Sequence, residues 1–195
     1  MRKYSLIVLL SCILAVVSLP LVRAQVGGLA GRTINGTVYF MSGRASGRSL
    51  PFRLIINRLT TSEEIGQLNA AMQSGGQDDL LKALSRLEAG RIQIGSGVGV
   101  PANAIIATPS GDGAKVIVLY QRDLGFSELR YGTRRSDYRV GYAEMYIGPG
   151  ANQGMLIPAA KVRLKDGNTW EVEDFGTFPA RLIGLQVRGG RNSAH

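Results

Sequence analysis

From residue 91 to residue 188 the sequence is a succession of short segments rich in Val, Ile, Leu and Tyr, bounded by polar or glycine-containing turns. This pattern commits that stretch to β-structure. The segments are 91–94, 104–108, 115–122, 137–147, 155–165, 169–175 and 180–188. The third, KVIVLYQR, is almost continuously apolar and reads as a central strand covered on both faces, whereas others alternate. Two earlier runs, 33–41 (TINGTVYFM) and 50–59 (LPFRLIINRL), are strands of the same kind joined by the turn at 42–49. Asn35-Gly36-Thr37 fits a glycosylation acceptor, but inside a strand it reads as a bulge or turn.

One hairpin can be registered from sequence. With Asp166, Gly167 and Asn168 as a three-residue loop, Asn168 taking the left-handed conformation, Lys165 faces Thr169. Arg163 then opposes Glu171 and Lys161 opposes Glu173, while Val162 meets Val172 and Leu164 meets Trp170 on the other face. A slip of one residue would destroy both sets of pairs.

Between the early and late strands lies a helical region. Thr61 and Glu64 form a capping box, and Ile65, Leu68 and Met72 follow on one face. Gly75 and Gly76 read as a stop. Asp78 and Asp79 open a second helix with Leu80, Leu84 and Leu87 as its stripe, ended by Gly90. The expected fold is therefore α+β: a two-layer sandwich, a mainly antiparallel sheet with a helix pair packed on one face.

The amino terminus has the layout of a secretory signal peptide. Arg2 and Lys3 precede an apolar run that Pro20 interrupts, and the small residue Ala24 closes it, so residues 1–24 read as a leader cleaved after Ala24. An uncleaved anchor is the alternative. Cys12 fails as a lipidation site because the apolar run continues beyond it. Cleavage removes Arg2, Lys3 and Arg23 and takes the net charge from +9 to 9 − 3 = +6. It also removes the only cysteine, so no disulfide can staple the domain. Residues 25–31 form a flexible lead-in, 32–188 a single domain and 189–195 a disordered tail, in a protein destined for the periplasm or the exterior with no membrane span once processed.

Chemistry is constrained mainly by exclusion. The one histidine, His195, is the last residue of the tail, and without a second His or a Cys neither the common transition-metal sites nor Ser–His or Cys–His catalysis can be assembled, so no metal and no cofactor are expected. Gly95, Gly97 and Gly99 lack the last glycine of a dinucleotide fingerprint, and Pro101 and Asn103 interrupt the helix that should follow, leaving a mobile glycine-rich connection. Among the acids, Glu144 shares a strand face with Tyr138, Val140, Tyr142 and Tyr146, an aromatic setting that could raise its pKa and make it a catalytic carboxylate, aided by Asp137 or Glu128. The alternative is an ion pair with a neighbouring Arg at a sheet edge. Arg130, Tyr131, Arg134, Arg135, Tyr138 and Arg139 form the one dense basic and aromatic stretch, suited to flat anionic or sugar-bearing ligands, or else a solvated loop.

Ser136-Asp137-Tyr138, Ala159-Ala160-Lys161, Glu171-Val172-Glu173 and Pro179-Ala180-Arg181-Leu182, behind Thr60-Thr61 and Gly75-Gly76-Gln77-Asp78-Asp79-Leu80-Leu81, resemble an uncharacterised family of exported proteins from soil bacteria. The resemblance covers most of the mature chain and implies export and a bacterial source; it carries no activity. The sequence thus points to an exported non-enzymatic binding or structural module that contacts an anionic polysaccharide, a lipid head group or an acidic protein rather than nucleic acid. A carboxylate-dependent hydrolase is the alternative.

Overall fold

The structure, a computed structural model, describes residues 28–122, 138–150 and 152–189. Among the described residues, ten strands occur in chain order: β1 (Arg32–Phe40), β2 (Ser49–Ile56), β3 (Gly90–Ile94), β4 (Val100–Ala102), β5 (Ala104–Ser110), β6 (Gly113–Gln121), β7 (Val140–Ile147), β8 (Gln153–Lys165), β9 (Thr169–Phe175) and β10 (Ala180–Gly189). One α-helix among those residues, α1 (Ser62–Leu84), joins β2 to β3.

Every described strand pairing is antiparallel, and the strands run in the order β4-β3-β2-β1-β10-β8-β7-β6-β5. The two ends of that order, β4 and β5, are consecutive in the chain and separated only by Asn103. The sheet therefore returns to its own starting segment and closes as an up-and-down barrel. Counting β4–β5 as one bent strand and setting β9 aside, eight strands go round it. At that number the interior is just wide enough for side chains to fill. It is filled here by Ile34 and Val38 of β1, Phe52 and Leu54 of β2, Val116 and Val118 of β6, Met145 of β7, Leu156 of β8 and Leu182 of β10, all 2% exposed or less. Close packing extends to Gly141 on β7, where a Cβ would overlap the buried ring of Tyr120.

Closure depends on the corner at Asn103. As the strand leaves β3 for β6, Asn103 Nδ2 donates to the carbonyls of Leu84 and Leu87, both at 3.0 Å, and its Oδ1 accepts from the Gln121 amide at 2.7 Å. The adjoining backbone of Ile105 is satisfied by Thr60, whose Oγ1 accepts at 2.8 Å and whose amide donates at 2.9 Å. One buried amide thus ties the end of α1 to the barrel seam.

The expected sandwich with a helix pair is overturned. The sheet buries one face within itself, so the helical region need only cover part of the outside: β5 to β9, through Leu68, Leu80 and Leu84 against Ile117, Leu119, Tyr142, Val162 and Trp170. Gly75 and Gly76 do interrupt the helical backbone, since Gly76 takes φ 61° and ψ −140°, but the chain resumes at once across this kink as one bent element, not as a separate second helix. The capping box at Thr61 and Glu64 is present, and Arg58 binds both oxygens of Glu64 at 2.7 and 2.8 Å. These bonds, from Arg58 first and from the Thr61 amide second, hold the Glu64 carboxyl at about 2.

The β8–β9 hairpin has the register expected from its sequence as far as Val162↔Val172, after which a bulge sets Lys161 opposite Asp174. Lys161 nevertheless reaches Glu173 at 3.1 Å. The left-handed positions in the turn are Asp166 (φ 52°) and Gly167 (φ 74°), not Asn168. Asn168 instead accepts from Asn69 of α1 at 3.3 Å, and Gln77 donates to the Val162 carbonyl beside the bulge at 2.5 Å. Strand β4 is unannounced in the sequence: three residues containing Pro101 carry almost no β signal of their own. A register shift in β1 against β10 falls between Asn35 and Thr37, where the sequence reads as a bulge.

Replacing Asn103 with Leu, of similar volume, strands two carbonyls at the end of α1 and the Gln121 amide. It should lower stability by about 2–4 kcal/mol in urea denaturation. A loss below about 1 kcal/mol would show that the corner does not hold the seam.

Candidate functional site

Two features stand out on the barrel's exterior: the surroundings of Glu144 and the distribution of charge. Glu144 lies on the outward face of β7, between Ile117 on β6 and Met155 on β8. Period-two spacing brings Tyr142 and Tyr146 to the same face, and both hydroxyls donate to the carboxylate, Tyr142 to Oε2 at 2.5 Å and Tyr146 to Oε1 at 2.8 Å. Lys115, opposite Tyr146 on β6, completes the group at 3.0 Å from Oε2 and 5.6 Å from the Tyr146 ring.

Burial opposes ionisation of Glu144, but the hydrogen bonds from Tyr142, Lys115 and Tyr146 outweigh it and hold the carboxyl below its ordinary range. The cost is passed to the donors. Burial first, and then the bond to Glu144, pushes the Tyr142 hydroxyl up, and the bond to Glu144 does the same for Tyr146. Burial works against the Lys115 ammonium, yet its contact with Glu144 raises it. The sequence located the aromatic setting correctly but pointed to the wrong sign, because tyrosine hydroxyls stabilise an anion where their rings alone would not. The cationic partner is a lysine across the ladder instead of an arginine at an edge. A carboxylate with both oxygens occupied and its proton lost at neutral pH has no free proton to give to a substrate.

Of the basic and aromatic stretch, Arg130, Tyr131, Arg134 and Arg135 lie outside the described residues, as do Asp137, Glu128, the leader and residues 190–195, while Gly189, expected to open the tail, ends β10 paired with Arg32. Tyr138 is buried, at 7% exposed, and donates to Asp174 at 2.5 Å. Arg139 pairs with Asp78 of α1. Both therefore fasten the start of β7 to its neighbours; Tyr138 is covered, whereas the Arg139 side chain stays exposed with its charge already paired to Asp78. Among the described residues no three His, Cys, Asp or Glu side chains gather as a metal site, and no helix is long and apolar enough to cross a membrane. A hollow of about 490 Å³ on α1, lined by Glu64, Gln67, Asp79 and Lys82, is remote in sequence and sheet position from Glu144 and carries both signs of charge.

Charge is segregated around the barrel. The described acids lie on α1 (Glu63, Glu64, Asp78, Asp79), just after it (Glu88), in the β5–β6 turn (Asp112), on β7 (Glu144) and on the β8–β9 hairpin (Asp166, Glu171, Glu173, Asp174). None lies on β1, β2, β3, β4 or β10, which carry Arg32, Arg53, Arg91, Arg181 and Arg188. The sequence contains this signal: no acid precedes Glu63, none falls between Glu88 and Asp112, and none follows Asp174. What it lacks is the adjacency of the first strand to the last, which closure supplies.

No family model matches the chain, and no curated protein or solved structure is similar to it.

The depressed pKa of Glu144 fixes a pH dependence. A carboxyl whose folded pKa lies below its unfolded value stabilises fully above the unfolded value, and the contribution is lost as pH falls through the folded one. Glu144→Gln should therefore lower stability by about 2 kcal/mol at pH 7, with the deficit shrinking toward zero below the ordinary carboxylate range. Paired denaturation curves at pH 7 and pH 3 check this, and a deficit independent of pH would contradict an ionised Glu144.

Proposed function

We propose that this protein is an exported, non-enzymatic binding module that contacts anionic polymers of the cell envelope, in the periplasm or outside the cell. The observation that carries this reading is the acid-free half of the barrel, where arginines stand without carboxylate partners among the described residues. Two further observations support it. The barrel interior is occupied by its own side chains, so a ligand must be met on the outside. The best carboxylate for catalysis, Glu144, is ionised and consumed by its neighbours. Export rests on the leader-like residues 1–24 and on the resemblance to exported proteins of soil bacteria.

Uncompensated positive charge attracts polyanions over a range set by the screening length, about 10 Å at 0.1 M salt. Binding of polygalacturonate and of vesicles containing phosphatidylglycerol should therefore weaken at least about tenfold between 50 and 300 mM NaCl. Titration at both salt concentrations tests this. Absence of binding to either, or binding indifferent to salt, would remove the proposal.

A further inference from the structure

The strand register resolves the acid-free half into an ordered surface. Directly opposed residues of an antiparallel pair share a face. The residues alternating with the buried Ile34, Leu54 and Ile92 therefore point outward. One outward row runs Arg188, Thr33, Ile55, Arg91 across β10, β1, β2 and β3. The next row runs Gln186, Asn35, Arg53, Gln93 across the same strands. Guanidinium groups thus stand at both ends of the first row and inside the second, with amide side chains between them. At a strand spacing of about 4.8 Å, the ends of the first row are about 14 Å apart along the sheet.

The groups are held in place without being neutralised. Arg53 Nε donates to Asn35 Oδ1 at 3.2 Å, Arg91 to the Gly99 carbonyl at 3.4 Å, and Gln93 to the Val98 carbonyl at 3.0 Å. Each of these two arginines is thereby oriented by a neutral acceptor and keeps donors to spare, since a guanidinium carries five. Arg181, alternating with the buried Ala180 and Leu182, adds charge on the outward face of β10.

We propose that this face, centred on Arg53, Arg91 and Arg188, is the binding surface for a carboxylated polysaccharide lying across the strands. This rests on the binding-module reading above and gives it a site and a ligand class. Planar guanidinium groups match carboxylates in pairs of parallel hydrogen bonds. The amides of Asn35, Gln93 and Gln186 donate and accept at once, as sugar hydroxyls require. No aromatic residue lies in either row, and on the outward face of β1 the one aromatic is Tyr39, beside Arg181; a single ring gives successive bases no platform, so single-stranded nucleic acid is disfavoured. Ile55 is the one apolar side chain in the two rows, and the exposed Ile183 and Val98 near them are single residues interspersed with polar ones, not the continuous apolar surface that anchors a bilayer.

The test compares the full protein with Arg53→Glu/Arg91→Glu and with Arg86→Glu/Lys165→Glu, which makes the same charge change on the acid-bearing side. The probe is polygalacturonate at 50 mM NaCl, with dextran as its uncharged counterpart and a DNA duplex of matched charge as the competing class. Polygalacturonate binding at least tenfold weaker in the first variant and within threefold of wild type in the second, with no dextran binding, is the expected result. Equal losses in both variants would mean that net charge alone drives binding, and no loss in the first would place the site elsewhere; either overturns the face while leaving the binding-module reading intact. Failure of the unaltered protein to bind polygalacturonate overturns the polysaccharide assignment, and the binding-module reading falls with it when phosphatidylglycerol vesicles are not bound either. Tighter binding of the duplex overturns the polysaccharide assignment. Thermal unfolding of each variant shows that it is folded, and Arg188→Glu alone, expected to weaken binding at least threefold, provides a second variant should the double one fail to fold.

Discussion

The geometry of this protein turns on one buried amide. Asn103 stands where a single strand stops pairing with β3 and begins pairing with β6, and its three hydrogen bonds serve the end of the helix and the opposite strand. A strand cannot change neighbours in a closed sheet without leaving backbone groups unpaired at the corner, and each one left in an apolar interior costs about 1–3 kcal/mol. Asn103 and Thr60 supply the missing partners, so the sheet can close rather than present two open edges.

Closure decides what the exterior must do. A flat sheet of this size would need cover on two faces, but a closed one buries its inner face in itself, and α1 is long enough to cover only the outer surface from β5 to β9. That surface also holds the acids, and most of them are engaged in holding the fold together. Glu64 caps α1 and binds Arg58, Glu171 and Glu173 pair across the hairpin, Asp78 receives Arg139, and Glu144 is enclosed by two tyrosines and a lysine. The strands left uncovered carry arginine, amide and hydroxyl side chains with a few apolar ones such as Ile55 and Ile183, and no carboxylate. Positive charge there is unbalanced because the residues that would balance it are engaged on the other side.

What was legible in the sequence was local. Nine of the ten strands announce themselves by β-branched and aromatic runs, and the β8–β9 register follows from its two faces as far as Val162↔Val172, whereas the bulge beyond it and the left-handed Asp166 were not readable. The tenth, β4, is held by its ladder to β3 and by the Asn103 corner, so its own three residues need no propensity. The helix pair failed for a related reason: two adjacent glycines permit a break, but whether the chain bends or stops is decided by what lies beneath, and here Leu68 before the kink and Leu80 and Leu84 after it share one apolar surface. At Glu144 the face was readable by counting in twos, while the pKa depended on Lys115, 29 residues earlier in the chain (144 − 115 = 29), and on hydroxyls whose direction a sequence does not encode.

Stability and recognition are consequently separated in this fold. The barrel is held by an apolar interior, a seam and a helix, none of which requires Arg53, Arg91 or Arg188. Exposed arginines fastened only to carbonyl and amide oxygens contribute little to folding, so their concentration on one face is not explained by the needs of the fold. Carboxylates scattered on that face would have served solubility equally well and would have screened the arginines from one another. Their absence leaves Arg53 and Arg91 diagonal to one another on neighbouring strands with no carboxylate between them, positive charge that an anionic ligand would neutralise.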